Sequence, residues 1–128
     1  MTADKLTPLF GQALRLALRA HHKQVDKIGA PYILHVLRVI SDPSLTTEEE
    51  WVVAALHDVL EDTNIDTLHM LVHEIPLLQQ ERGILDTLDI ITRKPSQDYL
   101  GYIYQIVNDD VARKVKLADI NEVNNKDI

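Results

Sequence analysis

The chain has 128 residues, which predicts one domain with its own core. It is 45% hydrophobic and 26% charged, too apolar for disorder, and no apolar run reaches the roughly 18 residues of a membrane span. Zero cysteines exclude disulfides, iron–sulfur clusters, cysteine-ligated zinc and thiol nucleophiles, and a formal charge of −7 argues against a nucleic-acid polymer or an anionic membrane as partner.

Four glycines and no sustained period-two alternation predict helices throughout. Thr7-Pro8 reads as a helix start, with Phe10, Ala13, Leu14, Ala17 and His21 on one stripe. Asp26 to Pro31 is a turn, and a second helix runs from about Tyr32 to Ile40, before Asp42-Pro43. Thr47 and Glu50 form a capping box for a third helix, Trp51 to Val59, apolar all round and therefore expected to be buried. After Glu61 to Asn64, a helix is predicted from Asp66 to about Glu74 and a longer one from about Leu77 to Thr92. Tyr99, Tyr102, Ile103 and Ile106 mark the next, and the last begins near Asp110. The expected fold is a compact all-α domain of about seven helices.

The segment His57-Asp58-Val59-Leu60-Glu61-Asp62 carries the strongest chemical signal. Four ionisable residues close a helix that is otherwise apolar, and burying them costs several kcal/mol unless they pair or bind a metal. Glu61 lies one turn after His57 and Asp58, and Asp62 one turn after Asp58. Imidazole and carboxylates together suit Mn²⁺, Fe²⁺ or Zn²⁺. The alternative is a polar helix end with solvated carboxylates. His35 and Asp119, each flanked by apolar residues, would complete a four-ligand set.

Three motifs in order carry a family resemblance: Tyr32-Ile33-Leu34-His35, Ala54-Ala55-Leu56-His57-Asp58-Val59-Leu60-Glu61-Asp62-Thr63 and Val115-Lys116-Leu117-Ala118-Asp119. The chain resembles the HD-domain phosphohydrolases, and within them the (p)ppGpp hydrolase branch, over about residues 10 to 120. The resemblance implies a single HD-type domain over residues 1–128, without a C-terminal helix that family members usually carry. It implies one divalent metal, typically Mn²⁺, held by His35, His57, Asp58 and Asp119. It implies that Glu61 and Asp62 position and deprotonate the attacking water. The reaction implied is removal of the 3′-pyrophosphate of (p)ppGpp, giving GDP or GTP and pyrophosphate. Such chemistry is sound, because a metal acidifies water and polarises a phosphoryl oxygen while a carboxylate takes the proton.

The expected partner is a small anionic nucleotide. Lys27 matches a basic position in the turn before His35. Tyr32 and Lys116 are further candidate substrate contacts, and Arg93, Lys94, Arg113 and Lys114 are local positive charges. Two positions depart from the family pattern: Asp26 replaces a common basic residue, and Val123 replaces an Asn that helps hold the nucleotide. Asn121 and Asn124 are close by, neither in register with that position on an ideal helix, and Asn124 is the candidate substrate contact. His21 is read as a structural polar contact, and His69 and His73 as surface residues. Other readings are the same chemistry on another nucleotide or phosphorylated metabolite, or a non-catalytic metal- or nucleotide-binding regulatory module. Apolar stripes beyond one core are compatible with a homodimer. With no signal-peptide pattern and no disulfides, the expected location is cytoplasmic.

Overall fold

The structure, a computed structural model, describes residues 8–126, with side chains described through residue 123. Thr7, the expected cap of the first helix, lies outside the described residues. Among the described residues the architecture is all-α: α1 Pro8–Ala20, α2 Ile33–Ile40, α3 Glu48–Asp62, α4 Leu68–Glu74, α5 Arg82–Ile91, α6 Tyr99–Val107 and α7 Asp110–Lys126. None of these helices is long and apolar enough to cross a membrane.

The central element is α3, packed against α1, α2, α5 and α7. Its capping box forms as the sequence predicts: Thr47 Oγ1 accepts from the Glu50 amide, and Glu50 Oε1 accepts from the amides of Thr46 and Thr47. Glu50 also pairs with Lys114 of α7 at 3.1 Å, so one carboxylate serves the helix start and an interhelical tie. Beyond it, every residue from Val52 to Leu60 is buried, which explains a helix apolar on all faces. Val52 to Leu56, all fully buried, lead directly into His57 and Asp58.

The turn before α2 is built by Asp26. Its Oδ1 accepts from the amides of Ile28 and Ala30, and Gly29 takes a φ of +86° that a side chain would resist. This sets Tyr32 and His35 at the entrance of α2.

The single helix expected over about Leu77 to Thr92 is two pieces. A 3₁₀ segment, Pro76–Gln80, precedes α5, with Glu81 at φ −111° and ψ 69° between them. The core gives the reason. Leu78 must be buried together with Ile84, Leu88 and Ile91. On an unbroken helix Leu78 and Ile84, six residues apart, would point about 120° apart around the axis. Breaking the chain at Glu81 lets both reach the core. The helix expected from Asp66 starts at Leu68, because Thr67 Oγ1 accepts from the Met70 amide and caps it there.

A buried metal-type cluster with an acidic flank

Helices α2, α3 and α7 bring His35, His57, Asp58 and Asp119 together. Donor atoms of His35, Asp58 and Asp119 all lie within 4.8 Å of one another. His57 joins them through Nε2, 3.2 Å from Asp58 Oδ1 and 4.0 Å from Asp119 Oδ1. Both imidazoles and Asp58 are buried.

The protonation pattern tests whether a cation fits. His57 Nδ1 lies 3.0 Å from the Ala54 carbonyl, which can only accept, so Nδ1 carries the proton. Nε2 is then a lone pair, and it is buried without a hydrogen-bond partner. It faces a carboxylate oxygen, another acceptor. His35 repeats the arrangement, with Nδ1 3.2 Å from Glu122 Oε1 and Nε2 2.7 Å from Asp119 Oδ1. Acceptors this close repel unless a proton or a metal ion lies between them. Two imidazole nitrogens and two carboxylates form a donor set suited to a borderline or hard divalent ion.

The electrostatics agree. Burial alone would lower the His35 pKa, but Asp119, Asp58 and Glu122 outweigh it and raise it. Burial alone would raise Asp119, but the hydrogen bond from His35 and the charges of His57, His35 and Lys116 hold it below the usual carboxylate range. Each group is thus shifted toward its charged form, in a site that rewards positive charge between carboxylates. Tyr32 donates its hydroxyl to Asp58 Oδ2 at 2.7 Å, and desolvation with the Asp58 charge pushes the phenol well above its ordinary value.

Glu61 and Asp62 follow at the end of α3. Both are solvent-accessible, yet partial desolvation by the cleft walls raises their pKa values, and the Asp58 charge adds to this. The Arg93 amide donates to Glu61 Oε1 at 2.9 Å, which holds Glu61 and partly opposes its shift. The two acids line a cleft of about 750 Å³ with Thr92, Arg93 and Lys94. A second cleft, about 490 Å³, is lined by His35, Asp58 and Asp119 together with Tyr32, Lys27 and Val123.

The candidate substrate residues fall in different settings. Lys27 is exposed in the second cleft and makes no ion pair with the described residues. Lys116 lies 3.6 Å from Asp119 Oδ2 and over the Tyr102 ring, beside the cluster and outside the lining of either cleft. The side chain of Asn124 lies outside the described residues. Arg113 is bound to Asp110 and Lys114 to Glu50, so both cations serve the fold. Lys94 pairs with Asp89, and Arg93 covers the Tyr99 ring. His21 is buried and packed on Tyr32, with Nδ1 2.8 Å from Gln24 Oε1 and Nε2 without a hydrogen-bond partner. His69 and His73 are exposed on α4.

Sequence reading missed Glu122. Its side chain is 9% exposed, and Arg38 as well as His35 reaches it. The available signal was its place three residues after Asp119, on the same face of α7.

No family model matches the chain. Over 66 residues, 49% of its length, it is 38% identical to two Arabidopsis thaliana sequences described as "Putative GTP diphosphokinase RSH1, chloroplastic", and the match spans only 7% of those proteins. A solved metazoan ortholog of SpoT, described as hydrolysing ppGpp and playing a role in starvation responses, is 24% identical. It superposes with a TM-score of 0.71 over 91% of this chain and 68% of its own. The chain therefore shares the fold of that protein.

Proposed function

We propose that this chain is a metal-dependent phosphohydrolase that removes the 3′-pyrophosphate of (p)ppGpp, and that His35, His57, Asp58 and Asp119 hold its metal, Mn²⁺ being the first candidate. The observation that carries this reading is the buried His57 Nε2, a lone pair with no protein donor, aimed among carboxylates one turn before Glu61 and Asp62. The fold shared with a ppGpp hydrolase supports the substrate.

A divalent ion bound there would supply Lewis acidity toward a phosphoryl oxygen and acidify a water. The chain's own residues do the rest. Asp62 or Glu61 takes the proton of the attacking water, and a raised pKa makes each a better base near neutral pH than an ordinary carboxylate. Tyr32 fixes the Asp58 carboxylate by its hydrogen bond. Lys27, with no ion-pair partner among the described residues, offers its ammonium to a phosphate entering the cleft. The unit acts as one HD-type domain in the cytoplasm on a small nucleotide.

A second reading, the same reaction on another nucleotide, rests on one observation. Val123 and the inward-bonded Asp26 stand in the cleft where the family pattern has an amide and a basic residue, so fewer polar groups greet the substrate.

The experiment is pyrophosphate release from ppGpp with Mn²⁺, beside a panel of nucleotides and phosphomonoesters. Glu61→Gln and Asp62→Asn are the controls. Turnover of ppGpp that disappears in the controls supports the proposal. Activity confined to another panel member replaces the substrate. Silence across the panel overturns the enzymatic reading in favour of a binding module.

A further inference from the structure

We infer that Glu122 is a positioning residue for the metal centre: it holds the His35 ring in the tautomer that presents Nε2 to the cation. This rests on the metal site proposed above. An ionised carboxylate can only accept, so at 3.2 Å from Glu122 Oε1 the His35 Nδ1 must donate. In the neutral ring, the form that binds a cation, that leaves the Nε2 lone pair directed at the Asp119 side of the cluster, 2.7 Å from Oδ1.

The comparison within the molecule is informative. His57 has its Nδ1 proton tied to the Ala54 carbonyl of its own helix, one turn back. His35 makes no such backbone bond among the interactions described, and its Nδ1 partner comes from α7 instead. The two imidazoles thus reach the same tautomer by different means, one local and one tertiary. Glu122 is itself held from its other side by Arg38, whose Nη1 lies 3.4 Å from the same Oε1. Arg38 and His35 lie on α2, and Glu122 and Asp119 on α7, so the contact also ties together two of the three helices that supply ligands. A carboxylate behind a metal imidazole both orients the ring and makes it a better donor.

The test uses the whole chain and Mn²⁺ alone, without substrate. Glu122→Gln keeps an acceptor oxygen, and Glu122→Met keeps the size and removes it. Mn²⁺ affinity should fall only slightly in the Gln variant and by about 10- to 100-fold in the Met variant, with thermal melts confirming that both are folded. A role in packing alone would leave the Met variant binding as tightly as the wild type, and that result overturns the inference. A second readout needs no variant. Long-range ¹H–¹⁵N correlation of the Zn²⁺-loaded wild type should show the His35 proton on Nδ1, and a proton on Nε2 refutes the assignment. Wild-type protein that binds no Mn²⁺ overturns the metal reading itself. Tight wild-type binding with an unaffected Met variant overturns only the role of Glu122.

Discussion

Replacing Asp58 by Asn should make the metal-free protein more stable while abolishing its response to metal. In the wild type, Asp58 Oδ1 faces the orphan His57 Nε2 at 3.2 Å, acceptor against acceptor. An Asn amide nitrogen placed at that oxygen donates to Nε2, while the remaining oxygen still accepts from Tyr32 at 2.7 Å. Satisfying a buried acceptor recovers about 1–3 kcal/mol, and the weaker bond from Tyr32 to a neutral oxygen gives back about 1 kcal/mol. Removing a charge that raises the pKa values of Glu61 and Asp62 adds a small gain, offset by the lost attraction between Asp58 and His35. The net is about 0 to +2 kcal/mol, or a Tm increase of up to roughly 8 °C for a chain of this size. The assay is a thermal melt in chelator and again in excess Mn²⁺. In chelator the variant should melt above the wild type. With Mn²⁺ the wild type should gain about 2.7 kcal/mol at a hundred times Kd, and the variant little. A variant that melts below the wild type in chelator would refute the argument that these two acceptors oppose each other.

The acidic flank and the periphery give further expectations. Glu61→Gln keeps an acceptor for the Arg93 amide, so it should fold and bind Mn²⁺ normally while losing about 10²–10⁴ in kcat, measured on ppGpp. Lys27→Ala should raise KM for a phosphate-bearing substrate by roughly tenfold, the equivalent of one charge-assisted hydrogen bond, and leave the melting temperature unchanged. Glu50 behaves oppositely to Glu61 with pH. Burial alone would raise Glu50, but the Thr46 and Thr47 amides and Lys114 more than offset it and lower its pKa. Glu50→Gln should therefore cost about 2 kcal/mol at neutral pH, modest for a buried pair because Lys114 is half-exposed. In denaturant titrations that deficit is fully present above the ordinary carboxylate range and vanishes as pH falls through the lowered folded value. For Glu61 and Asp62 the folded values are raised, so the metal-free protein should lose stability as pH rises through them. The double amide variant should lack that loss.

Local chemistry carried much of this molecule on its face. Thr47 and Glu50 announce the start of α3, and the unbroken apolar run that follows announces its burial, because capping and burial are read within a few residues of chain. The same locality made His57, Asp58, Glu61 and Asp62 legible, since polar groups at the end of a buried helix demand an explanation. Where sequence reading failed, the deciding forces came from elsewhere in the fold. The break at Glu81 exists because Leu78 and Ile84 must both meet a core shaped by other helices. Glu122 matters because α7 lies against α2, and no periodicity within α7 says that an imidazole 87 positions earlier stands opposite. Asp26, which the family resemblance marks as a missing positive charge, is by structure the residue that closes the turn before α2. Sequence alone determined which side chains could bind a cation. Only the tertiary structure decided that their lone pairs converge, because orientation across 84 residues, as between His35 and Asp119, is set by helix packing.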